Sequence, residues 1–263
     1  MSPRSNEKPC TPTVEKRTTD TASVGASGPL RGAGTDVVAA LLPLSGLAGA
    51  TWWLFSLPAS YLLQVAGMYA LMGALLLREK TAERAHPGLG AANRITLARA
   101  TIIFPLAGLV FHSAVDAPAM GWWVVLWATL AFLLDNLDGR VARRTGTVSA
   151  FGARFDMELD AFLILVLSVL VWEWGKVGAW VLLIGALRYL FVGAGWVRRE
   201  LNGPLPESQR RKIVCVAQGV ALLVCLGPIV SLDVASIVAG GALALLVYSF
   251  VVDVRWLLRH AGA

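Results

Sequence analysis

The sequence predicts an all-α polytopic membrane protein with about eight transmembrane helices. Three observations carry this: a strongly apolar composition, long apolar runs, and basic residues confined to alternate loops. Of 263 residues, 56% are hydrophobic and only 15% charged, with a mean hydropathy of +0.65; a soluble domain is about a quarter charged. Several apolar runs approach the ~20 residues that cross a bilayer as a helix. No ten-residue alternating strands with turn signals occur, so helices, which satisfy their own backbone polar groups in lipid, are the expected spanning form.

Eight segments follow in order: Val37–Phe55, Ala59–Leu77, Thr96–Phe111, Gly121–Ala142, Phe155–Trp172, Val177–Val197, Ile213–Val230 and Val234–Leu257. Pro58 separates the first two and Pro228 closes the seventh. Of the 23 Lys and Arg, five lie in the N-terminal tail, five between Arg78 and Arg99, four between Arg140 and Arg154, five between Arg198 and Lys212, and two at Arg255 and Arg259. The alternate connections hold only Lys176, and Arg188 lies inside a segment. By the positive-inside rule, both termini and the basic loops are expected in the cytoplasm, and the expected location is a bacterial inner membrane. Trp52, Trp53, Trp122, Trp123, Trp172 and Trp174 fall at the opposite ends, as an interfacial belt does.

The net charge of +6 and pI near 9.6 do not indicate nucleic acid, because the basic residues sit in short loops between apolar runs. Residues 1–35, rich in Ser, Thr, Pro and Gly, read as a disordered cytoplasmic tail. No signal peptide is expected, since the first apolar run starts only near Asp36 and lacks a nearby polar cleavage region. Cys10, Cys215 and Cys225 form neither a disulfide framework nor a zinc pattern. In His86–Arg99, Pro and Gly come first and Asn93 is placed to cap a helix. Ile95, Leu97 and Ala98 give that stretch an apolar side, so it reads as a short surface element feeding the third span.

The chemistry concentrates at the cytoplasmic ends of the fourth and fifth segments. A central Asp in a span costs about 2.5–3.5 kcal/mol, yet Asp135, Asp138, Asp156 and Asp160 gather there. Spacings of three and four put each pair on one helix face. Ala142 continues the first face as a small residue, and Gly139 and Gly152 leave the backbone open for a nucleotide. Four converging carboxylates repel one another. Divalent cations are the simplest compensation, and an all-oxygen donor set suits Mg²⁺ or Mn²⁺; two ions can polarise a phosphoryl group and stabilise both attacking and leaving oxygens. The competing reading pairs the aspartates with Arg140, Arg143, Arg144 and Arg154. Glu158 points to another side of its helix and is expected either to support the ligands from behind or to be ion-paired.

The window Asp135 to Asp160 reads D-x2-D-G-x2-A-R-x8-G-x3-D-x3-D, filled by Asp135, Asp138, Gly139, Ala142, Arg143, Gly152, Asp156 and Asp160. This resembles the signature of the CDP-alcohol phosphotransferases, also called CDP-alcohol phosphatidyltransferases. The resemblance runs from about Asn93 to the C-terminus and implies a six-helix core over residues 86–260, with residues 36–78 as two added N-terminal helices. It implies transfer of a phosphatidyl group from CDP-diacylglycerol to a small alcohol, with release of CMP. In that reading Asp135, Asp138 and Asp156 hold two divalent ions, and Asp160 touches metal and deprotonates the acceptor. Gly139, Ala142, Arg143, Gly152 and Ser149 would line the cytidine diphosphate site. Asn93, Thr96 and Arg99 match the family's Asn-x-x-Thr-x-x-Arg stretch near the donor, although Asn93 as a cap and Arg99 as an interfacial anchor explain those two equally.

A phosphorylated acceptor needs further cations. Arg188, inside a span, is the first candidate; Arg198, Arg210, Arg211 and Lys212 lie at neighbouring cytoplasmic ends, where positive-inside topology also accounts for them. Lys212 to Gln218 resembles part of the Gly-Lys-x-Lys-Thr-x-x-Gln stretch of phosphatidylglycerophosphate synthases, but Arg211, Val214 and Cys215 depart from it. Glycerol 3-phosphate is therefore the leading acceptor, with inositol phosphate and free serine as alternatives. The expected partners are CDP-diacylglycerol, the acceptor and membrane lipids, with no nucleic acid and a homodimer left open. A cation-coupled transporter would place its carboxylates near the midplane at broken helices, and a noncatalytic scaffold has no use for four at these spacings.

Overall fold

A computed structural model describes residues 29–82, 90–112, 118–145, 150–198, 203 and 208–260. Eight α-helices are present among them: α1 (Pro29–Leu54), α2 (Ala59–Ala82), α3 (Gly90–Ala107), α4 (Pro118–Thr145), α5 (Ala150–Glu173), α6 (Leu182–Val197), α7 (Gln209–Leu226) and α8 (Leu232–His260). A 3-10 turn, Ala179–Val181, leads into α6. No strand occurs among the described residues, and the chain is an all-α polytopic membrane protein.

Five of the helices, α1, α2, α4, α6 and α8, contain stretches long and apolar enough to cross a membrane by length and composition alone. The other three, α3, α5 and α7, carry Arg94 and Arg99, the Asp156–Asp160 charges, and Arg210 to Lys212 respectively. Arg99, Asp156 and Asp160 belong to the carboxylate cluster described below, and Arg211 and Lys212 line the cavity beside it, so the charges that lower the hydropathy of these helices are functional candidates.

Helix ends differ from the apolar segments for identifiable reasons. α1 begins at Pro29, inside the stretch expected as tail; proline suits a helix start because its missing N–H leaves nothing unsatisfied there. Residues 1–28 lie outside the described ones. Asn93 is not a cap: α3 starts at Gly90 and runs without a break from the surface stretch into the span. The third segment ends early, with Gly108–Phe111 in turns. Pro105 lies in the last turn of α3, and its carbonyl, one of those left without a helical partner, accepts the Tyr61 hydroxyl at 3.1 Å. α7 stops at Leu226, just ahead of Pro228, since the residue before proline avoids helical geometry.

Association between helices in lipid relies on close packing rather than on expulsion of water, which favours small residues at the contacts. Buried Ala128, Ala131, Ala221, Ala235, Ala239 and Ala242 follow that rule. α5 sits centrally, with Leu163, Leu167 and Leu170 fully enclosed, and packs against α3, α6 and α7. The two N-terminal helices are bound into this core by polar contacts. Trp123 Nε1 donates to Thr51 Oγ1 at 3.1 Å and Arg94 pairs with Asp36 at 3.0 Å, tying α1 to the core, while the Tyr69 hydroxyl donates to the Val37 carbonyl at 2.6 Å and ties α2 to α1. Trp123 is thus packed between helices, whereas Trp53 and Trp122 are exposed at the end away from the aspartates, as belt residues are.

Gly185 marks the tightest approach, between α5 and α6. A Cβ there would stand 2.5 Å from Leu165 Cα and 2.9 Å from its Cδ1, and a backbone atom cannot swing aside. Gly185→Ala is expected to lose about 1–3 kcal/mol, the range for overpacking a filled interior. Thermal unfolding in detergent checks this, and a melting temperature equal to that of the parent would refute the close contact.

Candidate functional site

Three helices build the centre of the site. α4 brings Asp135, α5 brings Asp156 and Asp160, and α3 brings Arg99. The carboxylates of Asp135, Asp156 and Asp160 each offer an oxygen within 4.8 Å of the others, so the spacings of these residues do converge their acids across two helices. Arg99 stands between them. Its Nη1 lies 2.8 Å from Asp135 Oδ1 and also pairs with Asp156, while Nη2 pairs with Asp160. The Arg99 side chain is fully enclosed, but the three carboxylates remain about a quarter to a third exposed.

This alters one expectation. The sequence places Arg99 at the end of a basic loop, as a donor contact or an interfacial anchor, and Arg188 inside a span. Arg99 is the deeper of the two, and it supplies counter-charge to the aspartates. Among the described residues, three carboxylates against one guanidinium still leave the cluster anionic. An all-oxygen, partly accessible, negatively charged donor set fits a hard divalent ion such as Mg²⁺ or Mn²⁺. Among the described residues, Asp135, Asp156 and Asp160 are able to hold one.

The remaining donor-site residues are spread along the same helices. Thr96 is buried one turn before Arg99, and Asn93 lies a further turn back on α3. Gly152 opens the first turn of α5. Asp138, Gly139, Ala142 and Arg143 continue α4 beyond Asp135, but their side chains lie outside the described ones, as does Ser149 entirely.

A cavity of about 610 Å³ opens beside the cluster between α5, α6, α7 and α8. Asp160 forms part of its wall, so one carboxylate faces both the cluster and the cavity. The other polar lining comes from Arg188, Arg211, Lys212, Gln218, Ser249 and Asp253, and the rest is largely apolar. Arg188 pairs with Glu158 at 2.6 Å, the second of the two roles expected for Glu158. Two of the five expected acceptor cations, Arg198 and Arg210, are not among the residues lining this space. Arg210 donates to the Ser249 carbonyl at 2.8 Å and pairs with Asp253, tying α7 to α8; Arg198 caps the end of α6 and is exposed.

In the sequence, Gln218 stands out only as the last position of the Lys212–Gln218 stretch. It is buried, and its Nε2 donates to the Ala242 carbonyl at 3.0 Å. A carbonyl only accepts, so this bond fixes the amide orientation and leaves Oε1 as a buried acceptor with no partner among the described residues. A glutamine inside a small-residue helix was the available signal, because burying an unpaired amide oxygen is costly.

Carboxylates from α4 and α5 thus converge beside a cavity within an all-α membrane bundle. Residues 89–250 match the CDP-alcohol phosphatidyltransferase family, and this chain belongs to that family. The match leaves α1 and α2 outside it. A CDP-diacylglycerol–serine O-phosphatidyltransferase of Helicobacter pylori is 28% identical over 130 residues, covering 41% of this chain and 50% of the relative. The chain thus spans about half the length of that relative. No solved structure matches this chain.

Proposed function

We propose that this protein transfers a phosphatidyl group from CDP-diacylglycerol to a small alcohol that bears an anionic group, releasing CMP. The observation that carries the reading is the convergence of Asp135, Asp156 and Asp160 within 4.8 Å at the mouth of a cavity that also contains cations. When bound, divalent ions supply charge stabilisation on the attacking and leaving oxygens. Asp135, Asp138 and Asp156 would hold them with help from Asp160. By the family resemblance, Asn93, Thr96, Gly139, Ala142, Arg143 and Gly152 would border the donor, with Ser149 a weaker candidate.

The protein's own residues then have distinct tasks. Asp160, shared between the cluster and the cavity, takes the proton of the acceptor hydroxyl. The acceptor oxygen bonds to the phosphorus that carries diacylglycerol, the bond from that phosphorus to the CMP oxygen breaks, and the proton rests on the Asp160 carboxylate. Arg188, Lys212 and Arg211 face the acceptor's anion, and Gln218 Oε1 accepts a hydrogen bond from one of its donor groups. Glycerol 3-phosphate and inositol phosphate meet this description through phosphate. Serine meets it through its carboxylate and ammonium, and the name of the H. pylori relative favours that second reading. The reaction is proposed to face the cytoplasm of a bacterium, on the strength of the basic loops.

Incubating the purified protein with CDP-diacylglycerol, Mg²⁺ and each of serine, glycerol 3-phosphate, inositol phosphate and an uncharged alcohol tests this, with lipid products identified by mass spectrometry. A charged alcohol is expected to be preferred; turnover with the uncharged alcohol alone would refute the acceptor assignment. Arg188→Ala is expected to raise the acceptor KM roughly tenfold to hundredfold, the loss of a charge-assisted hydrogen bond worth about 1.5–3 kcal/mol, and to leave the KM for CDP-diacylglycerol unchanged. Equal losses for donor and acceptor would remove Arg188 from the acceptor site.

A further inference from the structure

We infer that Arg99 is the protein's own competitor for divalent cations at the aspartate cluster: it holds the carboxylates together and thereby limits how tightly ions bind there. This rests on the reading of Asp135, Asp156 and Asp160 as metal ligands.

Arg99 lies in a buried stretch of α3 in the interior of the bundle, and its side chain has no exposure. A guanidinium in such a place is strongly unfavourable unless it is paired. It is paired three times, with acids from two other helices. The planar fork of arginine lets two nitrogens reach three carboxylates, which a lysine ammonium on a flexible stem does not reproduce. Arg99 therefore joins α3 to α4 and α5 through charge.

The same carboxylates offer the oxygens that lie within 4.8 Å of one another. A cation drawn to those oxygens must share them with the guanidinium, or displace it, and like charges repel strongly at such separations in a medium of low dielectric. Two effects of Arg99 therefore oppose each other. It gathers the acids and binds the helices, but its positive charge weakens the site for any ion. An arginine with only a structural role would behave otherwise, since its removal would disorder the acids and weaken ion binding as well as stability.

The test uses the full-length protein in detergent, stripped with EDTA, and measures Mn²⁺ binding by calorimetry and electron paramagnetic resonance. Arg99→Gln is expected to bind Mn²⁺ about tenfold more tightly or better, while its melting temperature in EDTA falls and recovers on adding Mn²⁺. Arg99→Lys keeps the charge at a shorter reach and is expected to fall between Arg99→Gln and the parent. Parental or weaker Mn²⁺ affinity in folded Arg99→Gln, or in Arg99→Lys should the first variant not fold, overturns the inference. Parent protein that binds no Mn²⁺ overturns the metal reading itself, and the inference with it.

Discussion

Asp160→Asn is expected to lower turnover by about 10²–10⁴-fold, the usual contribution of a positioned general base, while CDP-diacylglycerol still binds. Asparagine keeps the size of the side chain and one oxygen, but it does not take up the acceptor proton. The position of Asp160 makes the effect specific: it belongs to the carboxylate cluster and also lines the cavity of about 610 Å³ where the alcohol is proposed to enter. Single-turnover kinetics of CMP release, set beside a donor-binding titration, separate the two roles. Normal turnover in this variant would exclude Asp160 as the base.

Asp135→Asn and Asp156→Asn are expected to act differently. Each removes a charged oxygen donor from the ion site, so metal affinity and turnover fall together. Altering even an outer partner of a ligand typically costs 10–100-fold, and loss of a direct ligand is expected to cost at least about that much. The Mg²⁺ concentration needed for half-maximal rate should rise in both variants and rise less in Asp160→Asn. An unchanged Mg²⁺ requirement in Asp135→Asn would show that this residue is not a ligand.

Much of the architecture was legible because bilayer physics writes itself into composition. Apolar runs gave all eight helices in order, and the spacings of Asp135, Asp156 and Asp160 anticipated carboxylates meeting across two helices. The helix ends were less legible. α3 and α7 continue through Arg94 and Arg210 because polar side chains at an interface need not interrupt backbone hydrogen bonding, so hydropathy marks where the charges begin rather than where the helix does.

The partner of the aspartates was harder to read. Counter-charge was sought in the neighbouring basic loop, whereas Arg99 comes from 57 residues before Asp156 and 61 before Asp160. A pairing across helices leaves no local spacing to detect. The Asn-x-x-Thr-x-x-Arg stretch singled out Arg99 as a donor contact or an interfacial anchor, but nothing in it points to the aspartates. Arg210 shows the reverse: its sequence setting allowed an acceptor role, and Asp253 on α8 takes it up instead.

The central claim is that the aspartate cluster uses divalent ions to break the bond between CMP and a phosphatidyl group. It is tested most directly by measuring CMP release from CDP-diacylglycerol by the purified protein, with Mg²⁺ and then with EDTA, in the presence of the preferred acceptor. The account predicts CMP formation that EDTA abolishes and added Mg²⁺ or Mn²⁺ restores. CMP release that continues unchanged in EDTA would contradict it.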